Sequence, residues 1–234
     1  LLLSCSNQKH PLVFMETNLG LICLELYPEK APITVANFLR YVDENRYQNA
    51  HFYRVVHMGN QSNNDVKIQV IQGGLGFDNH PLELPPIIHE TTAETGVRHK
   101  DGTISMARLE PGTASSEIFI CINDQPDLDF DGKRNPDGQG FAAFGKVVSG
   151  MEFVRQIQQL PETGQMLEKP VKIINIEKVI NRKTSKQLSF FAIVNPTGVQ
   201  VTVRTTTALL PVEASRHQNG WAFTYGKLII YRTG

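Results

Sequence analysis

A run of three aspartates is the densest group of potential metal ligands in this chain. Asp127, Asp129 and Asp131 alternate with apolar residues and are followed by Gly132. A calcium-binding loop begins in this way, with carboxylates at alternate positions and glycine in the sixth. The twelfth position of such a loop supplies a bidentate glutamate, and here it is Gly138. We therefore interpret the run as a solvated acidic turn and predict no metal site.

Other residue types with chemical potential are not arranged for cofactor binding. Gly73, Gly74 and Gly76 follow a predicted strand, but no helix or further glycine completes a phosphate-binding loop. The seven histidines have no metal-ligand spacing, since His51 and His57 would not share a helical turn. The sequence therefore predicts no cofactor.

Composition indicates an ordinary soluble globular protein with one sizeable domain and an appendage, or with two small domains. The chain has 234 residues, 41% of them hydrophobic, and its 23 basic residues balance 23 acidic ones, so no overall field attracts nucleic acid. The balance is uneven. From Arg182 onward, seven basic residues face Glu213 alone, which leaves 16 basic against 22 acidic residues in the first 181, a net charge of −6. We predict a boundary near residue 181, followed by a basic tail over 182–234 that is either a small β annex or a misframed or fused segment that does not fold.

Cys5 differs from the other two cysteines in its surroundings. Cys23 and Cys121 lie in apolar predicted strands, where buried free thiols are expected. The segment Leu1-Leu-Leu-Ser-Cys5, followed by polar residues, looks like the end of a bacterial lipoprotein signal peptide, in which the cysteine is lipidated and becomes the N-terminus. On this interpretation residues 1–10 are a signal-peptide remnant and linker, and a lipid at Cys5 anchors the protein on the periplasmic side of the cell envelope. The alternative is an apolar N-terminus without function in a cytoplasmic protein.

The stretch from Gly102 to Asn123 places an outward-facing aromatic residue beside a polar loop. Two apolar runs of strand length flank a loop of small polar residues, which is too polar to be buried. In the second run Ile118, Ile120 and Ile122 share one face, and Phe119 shares the other with a cysteine. If the isoleucines belong to the core, Phe119 faces outward at the surface.

The elements that would position these residues are short strands and two helices. Helical periodicity runs from Pro32 to about Asn45, and again from Ser149 or Gly150 until just before Pro161. The region 75–101, rich in Pro, His, Gly and Thr, predicts a long ordered surface loop. Many short strands without a strand–helix–strand rhythm predict a mainly β fold, a closed antiparallel barrel plugged by the helices. The predicted barrel strands are 12–17, 21–26, 52–56, 68–74, 103–106, 118–122, 141–148 and 171–180.

Six short motifs occur in order across roughly residues 12–181. They are Pro32-Ile-Thr-Val-Ala-Asn-Phe, Phe52-Tyr-Arg-Val-Val, Ile71-Gln-Gly-Gly, Gly102-Thr-Ile-Ser-Met-Ala, Ser116-Glu-Ile-Phe-Ile and Phe144-Gly-Lys-Val-Val-Ser-Gly-Met. Each is weak alone, but in this order they resemble the cyclophilin-type peptidyl-prolyl cis-trans isomerases. The arginine at position 108 resembles the bacterial branch of this family, since eukaryotic members usually have asparagine at this position. The resemblance implies a closed eight-stranded antiparallel β-barrel capped by two α-helices over residues 11–181.

The resemblance also implies an enzyme that accelerates rotation about X-Pro peptide bonds. The barrier of about 18–20 kcal/mol comes from amide resonance, so no bond is made or broken and no metal, nucleophile or cofactor is required. Arg54 would stabilise the pyramidal prolyl nitrogen, Gln72 would orient Arg54 and bind the substrate carbonyl, and Phe119 would hold the proline ring. Further substrate contacts are implied for Phe52, Val70, Met106, Ala107, Arg108, Leu128 and Phe141.

Several positions depart from the family's usual pattern. Gln69 and Val70 replace an aromatic residue and a methionine, Asp127 occupies the position of an indole, and Phe141 replaces a histidine of the groove. The loop 58–67 is longer than usual and is expected to crowd the groove near its arginine. Two functions therefore remain open. One is a monomeric isomerase acting on unfolded or loop X-Pro segments of exported proteins, and the other is a proline-peptide binding module with little turnover on the same fold.

Overall fold

The structure, a computed structural model, describes residues 10–76 and 80–179 and, beyond them, the backbone of six strands. The chain divides into two compact units, with the boundary in the sequence between Val179 and Ile180. Cys5, the predicted lipidation site, lies outside the described residues. None of the helices in the described part of the chain is long and apolar enough to cross a membrane.

The first unit alternates short strands with three α-helices and one 3₁₀ turn. Its helices are α1 (Pro32–Asp43), α2 (Thr92–Thr95) and α3 (Met151–Gln158), and the 3₁₀ turn is Pro126–Leu128. Its strands are β1 (Leu12–Thr17), β2 (Leu21–Leu26), β3 (His51–Val56), β4 (Val70–Gly74), β5 (Thr103–Met106), β6 (Ile118–Cys121), β7 (Ala142–Ser149), β8 (Glu162–Thr163) and β9 (Met166–Lys178).

Eight of these strands close into an antiparallel barrel. The hydrogen-bonded order is β1-β2-β7-β5-β6-β4-β3-β9, and β9 returns to pair with β1, where Met15 lies opposite Ile176. Strand β8 is two residues long and pairs with β9 only. Closure removes free sheet edges, so each barrel strand has partners on both sides. The predicted eight-stranded barrel is therefore confirmed.

One apolar core fills the barrel and continues under both longer helices. Phe38 and Tyr41 of α1 and Ile157 of α3 are fully buried in the same cluster as inward-facing strand residues such as Ile118 and Ile120. Each such side chain contributes on the order of 1.5–3 kcal/mol when it leaves water. Because the isoleucines of β6 belong to this core, the opposite face of β6 lies on the outside of the barrel.

The segment between β4 and β5 is mostly irregular, as predicted, and is fixed to the barrel by side chains. The carboxylate of Glu90 accepts hydrogen bonds from the backbone N–H groups of Ile33 and Thr34, at 3.1 and 2.7 Å, where α1 begins. The short helix α2 was not predicted, because one turn is too short to have helical periodicity. A capping box between Thr91 and Glu94 holds it.

In the second unit, the strands that the structure describes form two three-stranded antiparallel sheets. The first contains β10 (Ser189–Asn195), β11 (Gly198–Arg204) and β12 (Leu209–Pro211). The second contains β13 (Glu213–His217), β14 (Gly220–Tyr225) and β15 (Leu228–Thr233).

Candidate active site

A groove of about 480 Å³ lies on the outside of the barrel, along β3, β4 and β6. Its walls combine apolar side chains with three arginines. The groove can therefore hold an uncharged ring of a ligand while it presents positive charge to the ligand's backbone beside that ring. The structure brings eight of the ten predicted site residues to this groove: Arg54, Val70, Gln72, Ala107, Arg108, Phe119, Leu128 and Phe141.

Phe52 and Met106 require a correction, because the structure places both in the barrel core and away from the groove. Each has no exposed surface. Strand alternation would put Phe52 on the same face as Arg54, but the pairing register shifts between them, so the two side chains face opposite sides. Met106 shares its face of β5 with the core residue Ile104.

Phe119 forms the floor of an apolar pocket within the groove. Its side chain is 4% exposed and packs in a small cluster on the outside of the barrel, separate from the main core. The ring of Phe141 meets it edge-on, with centroids 5.2 Å apart, and the imidazole of His99 stacks behind it at 5.8 Å. A ring held from two sides presents a fixed surface to a ligand. The rest of the cluster consists of Val56, Ile68, Val70, Cys121 and Leu128.

His99 is itself held by two hydrogen bonds behind the pocket. Its Nδ1 lies 2.8 Å from Oδ1 of Asp129, and its Nε2 lies 3.0 Å from the hydroxyl of Ser105. Burial lowers the pKa of His99, so the ring is neutral at pH 7. Burial alone would raise the pKa of Asp129, but the hydrogen bonds from His99 outweigh it and lower that pKa. Although serine, histidine and aspartate are aligned here, Ser105 has no exposed surface and cannot act as a nucleophile.

Arg54 is fixed above this pocket by two side-chain amides. Its Nη1 donates to Oε1 of Gln72 at 2.7 Å, while its Nε and Nη2 donate to Oε1 of Gln165 at 3.1 and 2.6 Å. Burial lowers the pKa of Arg54, yet a guanidinium with so high an intrinsic pKa stays charged. Both acceptors are neutral, so they orient the guanidinium without cancelling its charge.

Gln165 was not predicted as a site residue. It follows Gly164 in the two-residue turn between β8 and β9, with a left-handed φ of 75°. Residues other than glycine rarely adopt this backbone conformation. Three hydrogen bonds hold Gln165 in it. The backbone N–H of Gln165 donates to Glu162 at 2.6 Å, its carbonyl accepts from Val55 at 2.8 Å, and its Nε2 donates to the carbonyl of Asn60 at 3.0 Å. Only the Gly-Gln turn itself could have indicated it, and no pairing to Arg54 can be inferred from the sequence.

Gln72 is oriented by a second chain of hydrogen bonds that sequence reasoning also missed. Its Nε2 donates to the hydroxyl of Tyr53 at 3.2 Å, and that hydroxyl donates to the carboxylate of Glu117. Glu117 also accepts from the N–H of Gly76 at 2.9 Å. Burial raises the pKa of Tyr53 and of Glu117. Because the amide nitrogen of Gln72 is committed to Tyr53, its oxygen faces Arg54.

Arg108 lines the opposite rim in a different way. It forms a bidentate pair with Asp137, at 2.8 and 2.9 Å, and donates to the carbonyl of Gly140 at 2.8 and 2.6 Å. The guanidinium carbon lies 5.2 Å from the ring centroid of Phe141. Its side chain is only 1% exposed. Arg108 therefore holds the loop that carries Phe141, and its own charge is compensated.

The long loop between β3 and β4 lies beside the groove, and its residues 60–64 line a smaller cavity next to Gln165 and Arg134. Gln61 is buried and spans the loop, donating to the carbonyls of His57 and Ile68 at 2.8 Å each. The loop also accepts hydrogen bonds from Gln165 and, at Gln61 and Val66, from the side chain of Arg134.

Within residues 10–76 and 80–179 no three His, Cys, Asp or Glu side chains come together to bind a metal ion.

Comparison with known proteins identifies the family. The family profile described as cyclophilin type peptidyl-prolyl cis-trans isomerase/CLD matches residues 12–179. A peptidyl-prolyl cis-trans isomerase of Acinetobacter baylyi is 37% identical over 191 residues, which cover 77% of this chain and 93% of that protein. Peptidyl-prolyl cis-trans isomerase B of Escherichia coli is 33% identical over 174 residues, covering 72% and 98%. The chain therefore belongs to the cyclophilin-type peptidyl-prolyl cis-trans isomerase family, as its six motifs indicated, and its similar relatives include bacterial members.

Solved structures agree on the fold. A cyclophilin type isomerase from Cryptosporidium parvum superimposes with a TM-score of 0.58 at 21% identity, covering 74% of this chain and 99% of the other. The same protein, crystallised in the presence of the dipeptide Ala-Pro, gives a TM-score of 0.59 at 21% identity, covering 73% and 99%.

Proposed function

We propose that the protein is a peptidyl-prolyl cis-trans isomerase and that the groove between Arg54 and Phe119 is its active site. One observation carries the proposal: among the described residues, a guanidinium whose side-chain partners are all neutral amides lies beside a rigid apolar pocket. Membership in a family of isomerases, and the solved relative studied with Ala-Pro, support a proline-containing peptide as the ligand.

The apolar pocket would fix one end of the rotating bond. The proline ring is uncharged and apolar, as are the groove side chains of Phe119, Leu128 and Phe141. Burying the ring there removes it from water and restricts its rotation, so that only the chain on the other side of the amide turns. No covalent step is needed, because the reaction changes a dihedral angle only.

Arg54 would lower the barrier itself. As the X-Pro amide twists, resonance is lost, the prolyl nitrogen becomes pyramidal, and its lone pair becomes a hydrogen-bond acceptor. A charged donor placed at that nitrogen stabilises the twisted state more than the planar amide, which has no such lone pair. Gln72 and Gln165 hold the guanidinium in place beforehand, so no reorganisation is needed during the reaction.

A rate measurement tests the proposal. The cis-to-trans rate of a short X-Pro peptide is measured by NMR exchange, which requires no coupling protease, with the unmodified protein and with Arg54→Ala. We expect acceleration by the unmodified protein and its near-complete loss in Arg54→Ala, with circular dichroism and the melting temperature showing that the variant is folded. If the unmodified protein binds the peptide without accelerating exchange, it is a proline-peptide binding module and the proposal is wrong.

We also propose that the protein acts as a monomer on exposed X-Pro segments of exported proteins from an anchor at Cys5 on the periplasmic side of the bacterial envelope. The support is the Leu-Leu-Leu-Ser-Cys segment and the short polar linker after it. Mass spectrometry of protein made in bacteria from the complete gene should find a diacylglycerol adduct on Cys5. An unmodified residue 5 with upstream residues still attached would rule the anchor out.

A further inference from the structure

Three arginines line the groove, and they differ in how their charges are compensated. Arg108 has a bidentate carboxylate partner in Asp137. Among the residues that the structure describes, Arg54 and Arg134 have no carboxylate within ion-pairing distance. Arg54 has an assigned task in the proposed mechanism. The charge of Arg134 has none.

Arg134 lies where the groove borders the long loop between β3 and β4. It follows the 3₁₀ turn, where its backbone N–H donates to the carbonyl of Asp127 at 3.1 Å. Its side chain lines both the groove and a smaller polar cavity of about 220 Å³ beside Gln165 and the 60–64 segment. Burial lowers the pKa of Arg134, and the nearby charge of Arg54 lowers it further. Two guanidinium groups therefore share one wall of the groove.

Only one side-chain nitrogen of Arg134 donates a hydrogen bond within the described part of the chain. Its Nη1 donates to Oε1 of Gln61 at 3.2 Å and to the carbonyl of Val66 at 2.6 Å. Gln61 is held independently by the backbone of His57 and Ile68, so the loop does not need a positive charge from Arg134. A neutral amide side chain would satisfy the same two acceptors. The Nε and Nη2 groups of Arg134 have no acceptor among the described residues, so both remain available to a ligand.

Both acidic side chains that line the groove are already committed to other partners. Glu117 accepts from Tyr53, Ser116 and the N–H of Gly76, and Glu83 accepts from the hydroxyl of Ser115. Among the described residues, neither carboxylate forms an ion pair with Arg134 or Arg54. A peptide with an acidic side chain near Arg134 would therefore meet two cations whose charges no carboxylate pairs with.

We propose that Arg134 forms an anion subsite that binds an aspartate or glutamate side chain flanking the proline of the substrate. The inference rests on the proposed isomerase function and adds to it a preference for acidic X-Pro segments. The carboxylate would be held by the Nε and Nη2 donors of Arg134, in the field that Arg54 strengthens. Arg134 thus determines specificity, whereas Arg54 acts on the rotating bond.

Paired peptides test the subsite. Each pair differs only by Glu against Gln, at the position before the proline in one pair and after it in the other. The specificity constant and the Kd are measured by NMR exchange and titration for the unmodified protein, Arg134→Gln and Arg134→Lys. We expect the unmodified protein to favour Glu over Gln by about fivefold in one of the pairs, which is the worth of a partly exposed ion pair. The ratio should fall to about one in Arg134→Gln and stay above one, though reduced, in Arg134→Lys, which keeps the charge but lacks the paired donors.

Lys133→Gln is the matched control, because it removes one positive charge from the exposed residue next in the chain. It should keep the preference for Glu. A Glu-to-Gln ratio near one in the unmodified protein, or an unchanged ratio in Arg134→Gln, would overturn the subsite. Failure of the isomerase proposal has a different signature: no peptide of either kind is accelerated, while the Kd ratios still report whether Arg134 selects an acidic side chain.

Discussion

The two sides of the groove are supported by different chemistry. On one side, Gln72 and Gln165 hold Arg54 through neutral amide oxygens. On the other, carboxylates support the apolar pocket: Asp137 holds Arg108 under the ring of Phe141, and Asp129 holds the histidine behind Phe119. The groove thus keeps the charge of Arg54 free for a ligand and uses Arg108 as a structural support.

This difference explains how two arginines in one groove have separate tasks. A guanidinium paired with a carboxylate has little net field left for a third group, whereas neutral acceptors fix its position and leave the field intact. A negative charge does lie near Arg54, on Glu117, but it reaches Arg54 only through Tyr53 and Gln72. The carboxylate orients the chain of hydrogen bonds without pairing with the guanidinium.

The largest effect is expected from Arg54→Lys, which keeps the charge but removes the planar fork. A lysine ammonium lacks the planar fork of donors of a guanidinium. It cannot be held by hydrogen bonds to both Gln72 and Gln165 while it also faces the prolyl nitrogen. We expect kcat/KM to fall roughly 100-fold, as for loss of one preorganised transition-state donor. A Lys variant that retained most of the activity would show that charge alone suffices and that the two amides are unimportant.

Gln165→Ala should have the next largest effect. It removes two of the three described hydrogen bonds of Arg54 and leaves Gln72 in place. Losing this support should cost about tenfold in kcat, equivalent to about 1.4 kcal/mol of transition-state stabilisation. Gln159→Ala, at an exposed position after α3, is the control and should leave kcat unchanged. Equal rates for both variants would mean that the turn after β8 has no part in positioning Arg54.

Asp137→Asn tests the opposite side, where stability should change more than rate. The bidentate pair with the buried Arg108 is lost, which should lower the free energy of unfolding by about 1–2 kcal/mol. Because the pair does not touch the rotating bond, kcat should stay within about twofold. Urea unfolding and the exchange assay measure the two quantities on the same sample. A large drop in kcat with unchanged stability would contradict this assignment, because it would give Arg108 a role in catalysis and none in stability.

The smallest effect concerns pH. The pKa of buried His99 is lowered from 6.5, so the unfolded chain binds a proton that the folded protein excludes. This contribution to stability is complete above pH 6.5 and is lost as the pH falls toward the folded pKa. We expect the free energy of unfolding to decrease as the pH falls below 6.5, and His99→Gln to lack that part of the slope. Parallel slopes for the two proteins would contradict a neutral, buried His99.

The sequence predicted the elements whose signals are local. The alternation of β6 separated its core isoleucines from Phe119, and the periodicity after Pro32 indicated α1, which ends at Asp43. The eight barrel strands followed from apolar runs of strand length. Resemblance to the family then pointed to Arg54, which a pattern of residue types alone would have left as one charged residue in a strand.

The parts that were missed depend on contacts between distant segments. Gln165 faces Arg54 only because the β8–β9 turn docks on β3, 111 residues away in sequence. Phe52 was wrongly placed in the groove because the register shift beside it has no signature in the sequence. Tyr53 and Glu117 look like ordinary strand and loop residues until β3, β4 and β6 are adjacent.

The most direct test of the account is the rate of Gln72→Glu. The substitution preserves the shape of the side chain but replaces the neutral acceptor of Arg54 with a carboxylate, which makes this side of the groove resemble the Arg108 side. If the uncompensated charge of Arg54 drives rotation, kcat/KM measured by NMR exchange should fall by about tenfold or more, with the melting temperature maintained. A rate equal to that of the unmodified protein would contradict the account, because it would show that pairing the guanidinium does not matter.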